Sequence, residues 1–177
     1  MPSGRTHDAI TFLLAAPSAA TAYLITGGLT SAAVVAAAFV FGGLMFGPDL
    51  DTVSRQYSRW SIFRFLWIPY RRFFSHRSRF THGLIFGALI RVVYFLGALS
   101  IFALIVAGTD AVFADGEIPG FNDLTRVWRV VGIFVRRNFG EYFFLFVFLG
   151  LWLGAASHTF TDMAGSYIKT GRVAKFL

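Results

Sequence analysis

The chain has no cysteine. Disulfides and thiolate-held metals are both excluded, so any transition metal bound here must be held by imidazole and carboxylate. Charge is scarce too: 14% of the 177 residues are charged and nine are acidic, whereas 56% are hydrophobic, with 22 Phe and 4 Trp. That is more apolar surface than a soluble domain of this length buries, so the composition points to a bilayer.

Four stretches are apolar enough to span, roughly residues 10–29, 31–46, 83–108 and 140–156. The yardstick is the ~20 residues needed to cross about 30 Å of hydrocarbon. The second and fourth are short and borrow length from neighbouring loops. The Gly27-Gly28-Leu29-Thr30-Ser31 connection makes the first two an antiparallel hairpin. A cleaved secretory signal ending near Ser18-Ala19-Ala20 is the alternative, but the apolar run continues past that point and turns directly into the second segment. The expectation is an all-α polytopic membrane helix bundle, residues 1–177 as one integral domain. It has about four transmembrane helices plus interfacial or amphipathic ones.

With four spans, the N-terminus, the 47–82 loop and the C-terminal tail share one side. The 27–31 turn and the 109–139 loop take the other. The first side carries Arg5, Arg55, Arg59, Arg64, Arg71, Arg72, Arg77, Arg79, Lys169, Arg172 and Lys175. The 109–139 loop has Arg126, Arg129, Arg136 and Arg137, offset by Asp110, Asp115, Glu117 and Asp123. The positive-inside rule makes the first side cytoplasmic. The net charge of +7 is then a topology signal and does not call for nucleic acid. Between Asn122 and Asn138, Val127, Val130, Val131, Phe134 and Val135 recur at helical spacing between arginines, the pattern of an amphipathic helix lying on a surface.

All four histidines sit at the polar margins of these segments, on the basic side. The margins read His7-Asp8, Gly47-Pro48-Asp49-Leu50-Asp51, His76-Arg77-Ser78-Arg79-Phe80-Thr81-His82 and Ser157-His158-Thr159-Phe160-Thr161-Asp162. Pro48 helps end the second helix and leaves two carboxylates, Asp49 and Asp51, at its mouth; Asp is equally common in ordinary turns. His76 and His82 precede the third span, where a helix N-terminus favours an anion but interfacial histidines are also usual. His158 and Asp162, four apart, share one helix face; a mutual hydrogen bond is the plainer reading. His7-Asp8 is the weakest signal, since Asp8 could simply cap the first helix. Together the margins supply four imidazoles and up to four carboxylates. That exceeds what one tetrahedral structural zinc needs and suits Zn, with Mn or Fe as alternatives, in a dinuclear or open site. The 47–82 loop adds Trp60, Phe63, Leu66, Trp67, Tyr70, Phe73 and Phe74 among arginines. It reads as an interfacial anchor broken at Pro69, with arginines on lipid phosphates.

These blocks resemble the membrane-bound metal-dependent hydrolase family, with its Pro-Asp-x-Asp, His-Arg-x-x-Thr-His and Ser-His-x-x-x-Asp motifs in the same order. Here His76 and Thr81-His82 stand one residue further apart. Over nearly its full length the chain, opening Met1-Pro2-Ser3-Gly4-Arg5-Thr6-His7-Asp8, more closely resembles an uncharacterised family of predicted metal-binding integral membrane proteins common in cyanobacteria. The resemblance implies a bacterial inner-membrane (or thylakoid) protein with a metal site at its cytoplasmic face, distantly similar in ligand chemistry to zinc-dependent phospholipases C. Asp49, Asp51, His82, His158 and Asp162 match the core motif positions and His76 the leading histidine; His7 and Asp8 match only the closer family.

The functional expectation is a metal-dependent hydrolase of a phosphoester in a lipid or other amphiphile. His82, His158, Asp49 and Asp162 are the expected ligands; His76, Asp51, His7 and Asp8 are second-ion ligands or orienters. Asp51 is the expected base, and Arg77 the stabiliser of phosphate charge. The rivals are a non-catalytic metal-stapled membrane protein and a small subunit or assembly factor of a membrane complex. Membrane lipids are the expected partners, nucleic acid is not, and homo-oligomers or protein partners stay open.

Overall fold

The computed structural model describes residues 3–74, 83, 86–114 and 120–171. Helix α1, Gly4–Thr26, starts where the Ser3 hydroxyl accepts a hydrogen bond from the Thr6 N–H at 3.2 Å, and it ends at Gly27, whose φ of 68° is left-handed. Helix α2, Leu29–Met45, follows after one further residue and is stopped ahead of Pro48, which opens a 3₁₀ turn over Pro48–Asp51. Short helices α3, Arg55–Arg59, and α4, Ile68–Phe73, flank a second 3₁₀ segment, Ser61–Trp67. Helices α5, Phe86–Ala114, α6, Phe121–Phe139, and α7, Phe143–Thr170, complete the order. No strand occurs among the described residues.

Helices α1, α5 and α7 are long and apolar enough to cross a membrane. Helix α2 has 17 residues, about 26 Å at 1.5 Å per residue, slightly under the hydrocarbon thickness. Helix α6 is amphipathic, with Arg126, Arg129, Arg136 and Arg137 along it, and is not among the candidate spans. It touches α5 where the Trp128 indole N–H donates to the Ser100 hydroxyl at 3.1 Å.

Two boundaries differ from those expected. Helix α1 begins at Gly4 and not near residue 10, because Ser3 supplies the cap; His7 and Asp8 therefore lie inside the helix, and Asp8 is not its cap. Helix α7 runs beyond residue 156 to Thr170, where Gly171 (φ 66°) ends it. Ser157, His158, Thr159, Thr161 and Asp162 are thus buried helical residues rather than margin. Their hydroxyls do not disturb the helix. Ser157 and Thr161 return hydrogen bonds to Gly154 and Ser157 carbonyls at 2.7 Å, and Thr11 to His7 at 2.9 Å.

Small residues set the distance between α2 and α7. A Cβ on Gly154 would fall 2.7 Å from the Gly43 nitrogen and closer still to the Phe39 carbonyl; one on Gly150 would meet the Val35 carbonyl at 2.8 Å. Such backbone approach is what small residues permit between apolar helices, where lipid offers no hydrophobic drive to pack.

Part of the aromatic set in the 47–74 region, read from the sequence as an interfacial anchor, turns inward. Phe46, Leu50, Tyr57, Trp60, Trp67 and Tyr70 form a buried cluster, with Trp67 fully inaccessible. Trp67 stacks on Phe95 of α5, 5.9 Å between centroids, and meets Phe46 edge-on at 5.3 Å. Pro69 does not break the segment but sits in the first turn of α4, where its missing N–H costs nothing. Some aromatics do stay outside, Phe63 and Phe73 among them. This aromatic knot fixes the loop over the end of α2.

Candidate metal centre

Three elements distant in sequence converge where α1 begins, α2 ends and the second half of α7 passes. His7 comes from the first turns of α1, Asp49 from the 3₁₀ turn, and His158 and Asp162 from one face of α7. His7, His158 and Asp162 are 6%, 5% and 2% exposed. One ligand atom from each lies within 4.8 Å of the others, a grouping able to hold a metal ion.

His7 Nε2 stands 3.3 Å from Asp162 Oδ1. His158 Nε2 stands 3.4 Å from Asp49 Oδ2 and 3.7 Å from Asp162 Oδ2. The two imidazoles are stacked, 3.8 Å between centroids and 9° between planes. These N···O separations exceed good hydrogen bonds. Accordingly His158 Nε2 and Asp162 Oδ1 are buried without hydrogen-bond partners. Leaving such atoms unmatched inside a protein costs roughly 1–3 kcal/mol each. A cation resolves the problem: donors bonded at 2.0–2.1 Å around a tetrahedral ion lie about 3.4 Å apart, close to the spacing observed. The donor set, two imidazoles and two carboxylates without sulfur, suits zinc, manganese or iron.

The other side of the cluster opens into a pocket of about 230 Å³ lined by His7, Asp8, Asp49, Arg55, Gln56, Arg59, His158 and Asp162 together with Gly4. Asp49, on its wall, keeps 28% of its side chain exposed. Asp8, expected as a ligand, is engaged otherwise. Its Oδ2 receives Arg59 Nη2 at 2.6 Å and Arg55 Nη1 at 3.2 Å, while Arg59 Nη1 donates to the Leu44 carbonyl at 2.9 Å. Asp51, the expected base, is buried and does not line the pocket; its charge acts on Tyr70 and Arg91. His76, Arg77 and His82 lie outside the described residues.

Two contributors escaped sequence reasoning. Gln56 Nε2 donates to the Gly43 carbonyl at 3.0 Å and lies 3.1 Å from His158 Nδ1, tying the ring to the end of α2. No motif announces it. Arg91, 2% exposed in α5, did leave a signal, since a lone arginine inside an apolar run needs a partner. It sits beside Tyr70 with Asp51 and Asp49 nearby. Burial pushes the Tyr70 hydroxyl above its ordinary pKa, partly countered by the Arg91 charge.

Fold and site together define an all-helical protein that has, among the described residues, three helices able to cross a membrane and a buried His/His/Asp group able to hold metal. The chain belongs to the family described as "Uncharacterized metal-binding protein (DUF2227)", which matches residues 2–172. It is also similar to an "Uncharacterized protein" of Aquifex aeolicus (strain VF5), 28% identical over 134 residues, covering 74% of this chain and 89% of that one. No solved structure matches significantly.

Proposed function

We propose that this protein is a membrane-embedded, metal-dependent hydrolase of a phosphoester carried by a lipid or other amphiphile, acting at the cytoplasmic face. The observation that carries the metal reading is the set of unmatched buried donors, His158 Nε2 and Asp162 Oδ1 above all. Catalysis is favoured over a purely structural staple by the open side: a closed structural site surrounds its ion with protein ligands, whereas this one borders a pocket.

Charge gives the sign of the substrate. Asp8, Asp49 and Asp162 against Arg55 and Arg59 leave the pocket one negative charge with neutral histidines, and a divalent cation turns that positive. Anionic esters are therefore attracted and held. An apolar trough of about 590 Å³ supports an amphiphile. It lies between α1, α2 and α7, lined by Leu14, Phe39, Leu149 and Phe160 among others, and reaches Ser157, the neighbour of His158. The basic residues of the N-terminal and loop segments support the cytoplasmic orientation.

A bound divalent ion, zinc first, supplies Lewis acidity and acidifies the attacking water. His7, His158 and Asp162 would supply metal ligands. Asp49, the partly exposed carboxylate, would complete the donor set on the pocket side, whereas Asp51 does not line the pocket. Arg55, with 53% of its side chain exposed, would reach the ester phosphate as the water oxygen bonds to phosphorus, the P–O bond to the leaving alcohol breaks and that oxygen collects the proton the water gave up.

Elemental analysis of the full chain in detergent, beside His158→Ala, tests the metal, and release of alcohol or phosphate from phospholipid and lysophospholipid panels tests the reaction. Stoichiometric zinc lost in the variant, with hydrolysis that Arg55→Ala weakens while zinc remains, is the expected pair of results. Metal without turnover on any ester would reduce the protein to a metal-stapled bundle; absence of metal after loading would end both readings.

A further inference from the structure

We infer that the centre holds two metal ions, with Asp162 bridging them. The inference rests on the metal reading above and adds the allocation of donors. An ion bound to an imidazole nitrogen lies close to the ring plane. The His7 and His158 planes are only 9° from parallel, with centroids 3.8 Å apart. One ion shared by both would sit between the planes, about 1.9 Å from each, half of the 3.8 Å separation. With a metal–nitrogen bond of about 2.0–2.1 Å, it would stand nearly above the rings and not on their lone pairs. Stacked rings instead direct their Nε2 lone pairs side by side, toward two positions.

The carboxylates divide in the same way. Asp162 Oδ1 faces His7 Nε2 at 3.3 Å, while its other oxygen, Oδ2, faces His158 Nε2 at 3.7 Å. Asp49 Oδ2 stands 3.4 Å from His158 and supplies that position alone. The first ion thus takes His7 and Asp162 Oδ1; the second takes His158, Asp49 and Asp162 Oδ2. Neither ion is enclosed by these donors, and His7, Asp49, His158 and Asp162 all line the pocket. A metal-free, hydrogen-bonded His–Asp cluster is the competing account of the same geometry. It requires the imidazoles to donate to the facing carboxylates, yet His158 Nε2 and Asp162 Oδ1 make no hydrogen bond.

The test is made on the full chain in detergent, loaded separately with Zn²⁺ and Mn²⁺, freed of excess ion and measured for ions per chain. The manganese form is also examined by electron paramagnetic resonance. Two ions per chain and an exchange-coupled spectrum are expected. His7→Ala should keep one ion and give the uncoupled six-line signal, and Asp162→Asn should weaken the coupling. One ion per chain with an uncoupled signal in the parent overturns the pair while leaving the metal reading intact. No bound ion with either metal overturns both. The parent measurements decide the matter even if a variant fails to fold.

Discussion

Replacing Gly154 by alanine adds a single methyl group where α7 has no room for it. The new Cβ would lie 2.7 Å from the Gly43 nitrogen and nearer still to the Phe39 carbonyl. An ordinary contact begins near 3.4 Å, so α2 and α7 must separate locally by at least the 0.7 Å difference. Both obstacles are backbone atoms of a helix and cannot rotate away. The cost belongs at the upper end of the 1–3 kcal/mol seen for overpacking, about 3 kcal/mol. Gly154 precedes His158 by one turn, while Gln56 and Asp49 stay with the end of α2. The displacement therefore lengthens the 3.1 Å and 3.4 Å contacts to the His158 ring. Metal affinity should fall about tenfold or more, as when the groups supporting a ligand are lost. Gly97→Ala is the control, since nothing lies within 4 Å of its Cβ; it should leave both properties unchanged. Thermal unfolding in detergent and competition with a chelating dye measure the two effects. A Gly154→Ala protein that melts with the parent and keeps its metal affinity would refute the close α2–α7 approach on which the site depends.

Gln56 provides a subtler prediction. For His158 to bind an ion through Nε2, its Nδ1 must carry the proton, and the neighbour at 3.1 Å must offer an acceptor. The Gln56 amide oxygen is buried without a hydrogen bond and can serve if the amide turns. Gln56→Leu should weaken metal binding by roughly 10- to 100-fold, and Gln56→Glu, which keeps an acceptor there, should retain it; titration calorimetry showing equal affinity in all three would dismiss this role. Tyr70 gives a pH effect. Its pKa is raised above 10.0 chiefly by burial, so above pH 10 the unfolded tyrosine ionises while the buried one stays protonated, and stability falls as pH rises. Tyr70→Phe should flatten that decline in unfolding curves taken from pH 9 to 11, and an identical slope would show that Tyr70 is not the group responsible.

Composition and pattern alone were enough to indicate an all-helical chain with helices fit for a bilayer, because a chain this apolar and this poor in charge has few other ways to satisfy its backbone. The histidine and aspartate types of the centre were legible too: with no cysteine in the chain, they are the metal donors that remain. Helix ends were read less well. Ser3 and Gly171 cap α1 and α7 beyond the apolar runs, so His7, His158 and Asp162 prove to be buried helical residues. Tertiary packing alone decided their roles. The α2–α7 approach through Gly150 and Gly154 brings both ends of the chain to one pocket, stacks His7 on His158, and leaves Asp162 between them. The same packing binds Asp8 to two arginines and sets Asp51 beside Tyr70 and Arg91. Spacing along one chain fixes which residues share a helix face; which faces meet is set by steric fit between helices, and that distinguished Asp49 and Asp162 from carboxylates that look equivalent in the sequence.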